Sequence, residues 1–381
     1  MLEFIQLLNQ RYQAISENLK INDSAWSLFQ QRIEQLIFTE AFIRKGQLIE
    51  TNSNTPLQIA VIGPTQAGKS SIVNLILNSN NAGVSPLAGY TVHPQGFCNQ
   101  VESQQCNGLQ HYFGRFQKLK ISDLTHDRHD CYGLENNKGK SSLLPPCVFW
   151  DTPDFDSIDS TDYREGVIRT IALADIIVLV VSKEKYADQS VWEMMSTIES
   201  FHQPTLICVN KLIEDSESLI INSLKEKWLQ ARRDAFPEVI PLYYQKQTAL
   251  PVWPDNANNH FMQLQKQVLR NKQVLYQQQL INTYWNSWLE PVVAEQESTR
   301  LWQLLVDDVI KQSIEEYKRD YLNHPHYYDT FQNALIELLN LLEIPGISKA
   351  LTKTRRVLTW PIRKMMGIGR KPTTSVSHEE T

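Results

Sequence analysis

The stretch Gly63-Pro64-Thr65-Gln66-Ala67-Gly68-Lys69-Ser70-Ser71 has the spacing G-x-x-x-x-G-K-[ST], and its residue types suit the wrapping of a phosphate chain. Glycines let the backbone close around an anion, while successive N–H groups and a helix N-terminus supply positive potential. The Lys69 ammonium then reaches the β- and γ-phosphates, and the Ser70 hydroxyl suits Mg²⁺. The flanks give the match its weight. Apolar LQIAVI (57–62) precedes the loop and helical IVNLILN follows it, the strand–loop–helix context that this chemistry requires.

Other reactive residue types are present but poorly spaced. Cys98, Cys106, His111, His126, His129 and Cys131 fall within one segment. Structural zinc sites need tight paired spacings at both ends, so buried cysteines and surface histidines in an otherwise loop-like segment are expected. No motif surrounds any of the five cysteines to make it a nucleophile. Trp285, Trp288 and Trp302 are expected to pack between helices.

A basic stretch is more informative. From Pro345 to Lys371 there are eight Lys/Arg and no Asp/Glu, whereas the rest of the chain sets 29 basic against 42 acidic residues. That balance argues against general nucleic-acid binding. Ile347, Ala350, Leu351, Thr354 and Leu358 share a helical face, with Lys349, Lys353 and Arg356 opposite. Trp360 lies on the basic side and Pro361 ends or kinks the helix. Ile362, Met365, Met366 and Ile368 then alternate with Arg363, Lys364, Arg370 and Lys371. Such a segment suits an anionic membrane surface; its rival role is docking on the acidic body of the same chain.

The elements that must position these residues follow from apolar rhythm. Ile5, Leu8, Tyr12, Ile15 and Leu19 form one helical stripe, and Trp26, Phe29, Ile33 and Leu36 a second, capped at Asn22-Asp23-Ser24. TNSNTP (51–56) reads as a linker. From Leu57, short apolar strands alternate with helical stretches: 57–62, CVFWD (147–151), DIIVLVVS (175–182), TLICVN (205–210) and EVIPLYY (238–244). The expected fold is α/β, a mainly parallel sheet with helices on both faces. Strand signals stop near residue 258. Phe261, Leu264, Val268 and Leu275 then share a helical face, and FQNALIELLNLLE (331–343) forms another amphipathic helix. The expected division is N-terminal helices (1–50), a nucleotide-binding domain (55–255), a helical region (258–344) forming a bundle with the N-terminal helices, the basic segment (345–371) and a disordered tail (372–381).

The 381 residues are 42% hydrophobic and 21% charged, enough to bury a core and too apolar for general disorder. No apolar run reaches membrane-spanning length. MLEFIQLLNQ lacks the basic start of a secretion signal, and scattered cysteines fit a reducing compartment. A cytoplasmic protein, peripheral at the inner face of a membrane, is expected.

The remaining motifs follow the order of a GTPase. Asp151-Thr-Pro-Asp154 ends one strand where D-x-x-G is expected, Asn210-Lys211 ends another where N-K-x-D reads guanine, and upstream of both SPLAGY-Thr91-VHP occupies the switch I position. The chain resembles P-loop GTPases of the translation-factor-related class, above all bacterial dynamin-like and ribosome-GTPase-related proteins. The resemblance covers roughly 57–250 and implies binding of GTP and GDP with slow hydrolysis. It also implies that Thr91 and Asp151 serve Mg²⁺ with Ser70, that Asn210 contacts the purine and that the Lys211 stem covers the ring. Dynamin-like relatives imply a catalytic part for Gln66, with a monovalent cation as its partner, and self-association through the nucleotide domain.

Two positions depart from the pattern. Asp154 stands where the family has Gly, and Ile213 where it has the guanine-reading Asp, with Glu214 or Asp215 one or two residues further on. A nucleotide-binding scaffold with little hydrolysis and an ATPase with a degenerate guanine motif therefore stay open.

Overall fold

The computed structural model describes residues 1–20, 24–52, 54–83, 91–139, 141–155, 160–213, 216–243, 252–322 and 326–341. Asn22, Asp23, 84–90, Glu214, Asp215 and the basic segment lie outside the described residues. The chain opens with α1 (Leu2–Glu17) and α2 (Ser24–Thr51). Next come β1 (Leu57–Ile62), α3 (Lys69–Leu77), β2 (Gln95–Asn99), α4 (Gly108–Phe113), β3 (Gln117–Leu119) and β4 (Cys131–Asn136). The sheet is completed by β5 (Cys147–Asp151), α5 (Ser160–Leu173), β6 (Ile176–Ser182), α6 (Gln189–Ile198), β7 (Thr205–Leu212), α7 (Glu217–Ala231) and β8 (Glu238–Tyr243). Helices α8 (His260–Gln267), α9 (Gln273–Tyr317) and α10 (Tyr327–Leu341) follow.

Among the described residues the strands form one sheet in the order β3-β4-β2-β5-β1-β6-β7-β8. All neighbours run parallel except β2 and β5. Central strands β1, β5 and β6 are buried along their whole length, which is why they read as continuous apolar runs. On one face Ile59, Val61, Phe149 and Val178 pack with Ile72, Val73 and Ile76 of α3 and Phe261 of α8. On the other, β1 contacts α5, which packs against α2.

The segment 98–131, expected to be loop-like, instead contains α4, β3 and part of β2 and β4. QGFCN and CYGLEN carry glycines and polar residues, so their pattern is weak. Gly96 is required there, because a Cβ would lie 2.9 Å from the Trp150 ring.

Contacts divide the chain into Met1–Glu290 and Pro291–Thr381. The first unit therefore extends well past the expected break near residue 258. Leu280 and Trp288 of α9 are buried, and the Tyr12 hydroxyl donates to the Trp288 carbonyl. Pro291 has no N–H for the Ser287 carbonyl; Arg32 Nε of α2 donates to that oxygen at 3.0 Å. Asp175 at the start of β6 pairs with Lys45 of α2 at 3.0 Å and with Arg270 before α9. Leu275, expected to share a face with Phe261, lies on α9 rather than α8 and is half exposed. In the second unit, Leu301, Trp302, Leu305 and Val309 of α9 are exposed, so Trp302 does not pack as expected. Among the described residues no helix is long and apolar enough to cross a membrane.

Candidate functional site

The loop after β1 is shaped by its neighbours. A Cβ on Gly63 would lie 2.2 Å from the Val180 carbonyl of β6, so only glycine lets the loop leave the strand there. Gln66 and Gly68 take left-handed φ values of 61° and 92° ahead of α3. Pro64 and Ala67 are buried, Thr65 and Ser71 half-buried, and Gln66 exposed. Lys69 is buried, not on an open loop: Nζ donates to the Gly63 carbonyl at 3.0 Å and the Pro64 carbonyl at 3.3 Å. Its third partner is the Asp154 carboxylate.

Asp151 ends β5 opposite Val61 of β1, and the Thr152 hydroxyl donates to the Val61 carbonyl at 2.7 Å. This fixes the carboxylate beside the phosphate loop. Both Asp151 oxygens are buried and lack a hydrogen bond of good geometry, with the Ser70 hydroxyl as the neighbouring donor. Burial pushes its carboxyl up to about 6; the Ser70 hydroxyl and Lys69 ammonium oppose the rise, and Asp154 adds to it. A buried carboxylate so weakly compensated is costly. Paired with the Ser70 hydroxyl, it is a hard-oxygen donor set that fits a divalent cation.

Asn210 reaches the same loop from β7. The ladder to β8 shifts between Val209 and Leu212, and Lys211 takes φ 60°, a bulge that re-aims both side chains. Asn210 Nδ2 donates to the Ala67 carbonyl at 3.0 Å, while its Oδ1 accepts the Lys211 N–H at 2.9 Å. One amide hydrogen and one lone pair are left over by these two bonds. Lys211 Nζ donates to the Gln66 carbonyl at 2.8 Å, so its stem lines the loop's outer edge. Ile213 is exposed.

Loop, Lys69, Ser70, Asp151, Asp154, Asn210 and Lys211 are thus brought together. Thr91 is buried, but among the described residues it makes no hydrogen bond with the loop or Asp151. Cys98 and Cys106 sulfurs lie 4.0 Å apart, and among the described residues no three potential metal ligands cluster around them.

One site residue escaped the sequence reading. Arg164 of α5 donates through Nη1 to the Phe155 carbonyl at 2.7 Å. Its Nε and Nη2 grip both oxygens of Glu34 on α2, at 2.9 and 3.2 Å. The segment next to Asp154 is therefore tied to the N-terminal helix. No motif marks an Arg thirteen residues after a strand, so only the fold reveals it.

Residues 58–211 match the family described as 50S ribosome-binding GTPases. The chain is similar in structure to a member of an oligomerised bacterial dynamin pair described as sensing and tethering membranes, at 14% identity and TM-score 0.36, covering 95% of this chain and 68% of that one. It is also similar to Era in complex with MgGDPNP and a 16S ribosomal RNA segment, at 14% identity and TM-score 0.32, covering 50% of this chain and 52% of that one. For Era of Aquifex aeolicus bound to GDP and aluminium fluoride the values are 16%, 0.30, 49% and 50%. No curated protein matches the chain. With the parallel sheet and phosphate loop, the family match marks residues 58–211 as a P-loop GTPase domain.

Proposed function

We propose that this GTPase domain binds GTP, hydrolyses it slowly and uses the bound state to reposition the N-terminal helices. The observation that carries the reading is Asp151, a buried carboxylate that lacks a hydrogen bond of good geometry and has only the Ser70 hydroxyl and Lys69 ammonium to offset its burial. The N–H groups of 63–71 and the start of α3 cradle the phosphates, and the Lys69 ammonium neutralises the β- and γ-oxygens. Mg²⁺ held by Ser70, Thr91 and Asp151 would supply further charge neutralisation. Asn210 fixes the loop through Ala67 and offers its free polar atoms to the purine, while Lys211 covers one ring face.

Gln66 is the candidate for acting on the transition state. It is exposed at the loop's tip, where its amide can reach a γ-phosphate or a monovalent cation. Phe155 occupies the position after the D-x-x-D segment and is buried, so no water-orienting glutamine stands there. That observation also favours the second reading, a nucleotide-binding scaffold with little turnover.

The Phe155–Arg164–Glu34 connection gives the nucleotide site a route to α2. The composition of the basic segment 345–371 supports our reading of a cytoplasmic protein that attaches reversibly to the anionic inner membrane face. Self-association through the nucleotide domain would complete the site. Phosphate release from GTP and from ATP, with and without anionic liposomes, tests the whole reading. Turnover of GTP alone supports it, and equal turnover of ATP refutes the guanine preference.

A further inference from the structure

We infer that Asp154 is a specificity-determining residue that occupies the γ-phosphate position on Lys69, so that the site discriminates between nucleoside triphosphate and diphosphate. The inference rests on the reading of this loop as a nucleotide site. Three observations carry it. The Lys69 ammonium is buried, with 5% of its side chain exposed, and the Asp154 side chain beside it is 14% exposed. The two form an ion pair, while the ammonium's other donors are anchored on the Gly63 and Pro64 carbonyls at 3.0 and 3.3 Å. An ammonium has three donors, so each is engaged and an incoming phosphate oxygen must replace one acceptor.

The two carbonyls belong to the loop itself and cannot leave without unwinding it. Asp154 sits on a separate segment, after β5, and is the exchangeable partner. A phosphate-loop lysine reaches the β- and γ-phosphates, so the carboxylate on it stands in for a phosphate oxygen. A diphosphate leaves the outer part of that position to Asp154. A triphosphate brings a second anion to the same ammonium, and two like charges there repel strongly in a buried setting. The γ-phosphate therefore enters only when Asp154 is expelled. Because the Phe155 carbonyl accepts from Arg164, which also grips Glu34 of α2, that expulsion acts on the segment that Arg164 ties to α2. Gly at this position, as in the D-x-x-G pattern, carries no such competitor.

The test is isothermal titration of the full chain with GDP and with a non-hydrolysable GTP analogue in Mg²⁺, using wild type, Asp154→Asn and Asp154→Gly. Asparagine keeps the size and the hydrogen bond to Lys69 while removing the charge. The expected result is a gain of about tenfold or more for the triphosphate analogue, with GDP affinity changed less than about threefold. Glycine should reproduce the shift in ratio, which keeps the outcome readable if one variant folds poorly. An unchanged ratio, an equal gain for both nucleotides, or a loss of analogue affinity in both variants would each overturn the inference; the last would make Asp154 a phosphate or metal ligand. A wild type that binds no nucleotide removes the site reading and this inference with it, whereas binding with an unchanged ratio removes the inference alone.

Discussion

Gly68 and Asn210, 142 positions apart in sequence, meet so closely that a Cβ on Gly68 would lie 2.3 Å from the Asn210 amide nitrogen. The loop after β1 and the end of β7 are one packed object, and neither can change without the other. Gly68→Ala combines that clash with a φ of 92°, so it should destabilise the fold by roughly 2 kcal/mol or more. Asn210→Ala removes the bonds to Ala67 and Lys211 and should cost about 1–3 kcal/mol. Denaturant unfolding of both variants measures this, and an unchanged midpoint for Asn210→Ala would show that the clamp contributes nothing.

Asp151 predicts a pH dependence. Its carboxyl is pushed up to about 6 in the folded protein by burial, against about 3.9 in the unfolded chain. The folded state thus binds more protons between those values, so stability of the nucleotide-free protein should fall as pH rises from 4 to 6. The drop is on the order of 3 kcal/mol, levelling off above pH 6. Asp151→Asn should flatten that profile and stabilise the nucleotide-free protein at pH 7.5, while abolishing Mg²⁺-dependent nucleotide binding. Thermal melts across pH decide the first part. A variant less stable than wild type at pH 7.5 contradicts it.

Much of this site was legible in sequence because its strands are central. LQIAVI, CVFWD and IIVLVVS are buried on both faces and therefore largely apolar, and the loop motif sits directly on the first of them. What was hidden lies where pairing or charge depends on three-dimensional proximity. Strands β2 and β4 carry Gly96 and Gly133 because Trp150 and Ile121 crowd them, and glycine reads locally as a turn. The Lys69–Asp154 pair and the Arg164 bridge join residues from different elements, so no local periodicity reports them. The break between α8 and α9 was missed since Val268 still packs on the core, which preserves the apolar rhythm across a non-helical join.

Arg164 should carry coupling rather than nucleotide affinity. Its pair with Glu34 is partly exposed, so Arg164→Ala should cost only about 1 kcal/mol of stability. Hydrogen exchange in 24–51 should change on adding the GTP analogue to wild type, and stay unchanged in Arg164→Ala despite binding. Retention of the wild-type response in the variant would show that the signal runs elsewhere.

The basic segment predicts a salt dependence. Truncation after Glu343 should abolish co-sedimentation with anionic liposomes while leaving nucleotide affinity intact, and binding of the full chain should weaken steeply with salt. Loss of nucleotide binding on truncation would instead make the segment part of the fold.

The central claim is that Lys69, Asp151 and Asn210 form one guanine-nucleotide site. Its most direct measurement is displacement of a fluorescent GTP analogue from the full chain by unlabelled GTP and ATP in Mg²⁺, with Lys69→Ala alongside. The account predicts that GTP displaces the probe at least about tenfold better than ATP, a difference of roughly 1.4 kcal/mol, and that the folded Lys69→Ala variant does not take up the probe. Equal displacement by the two nucleotides, or undiminished binding by Lys69→Ala, would contradict it.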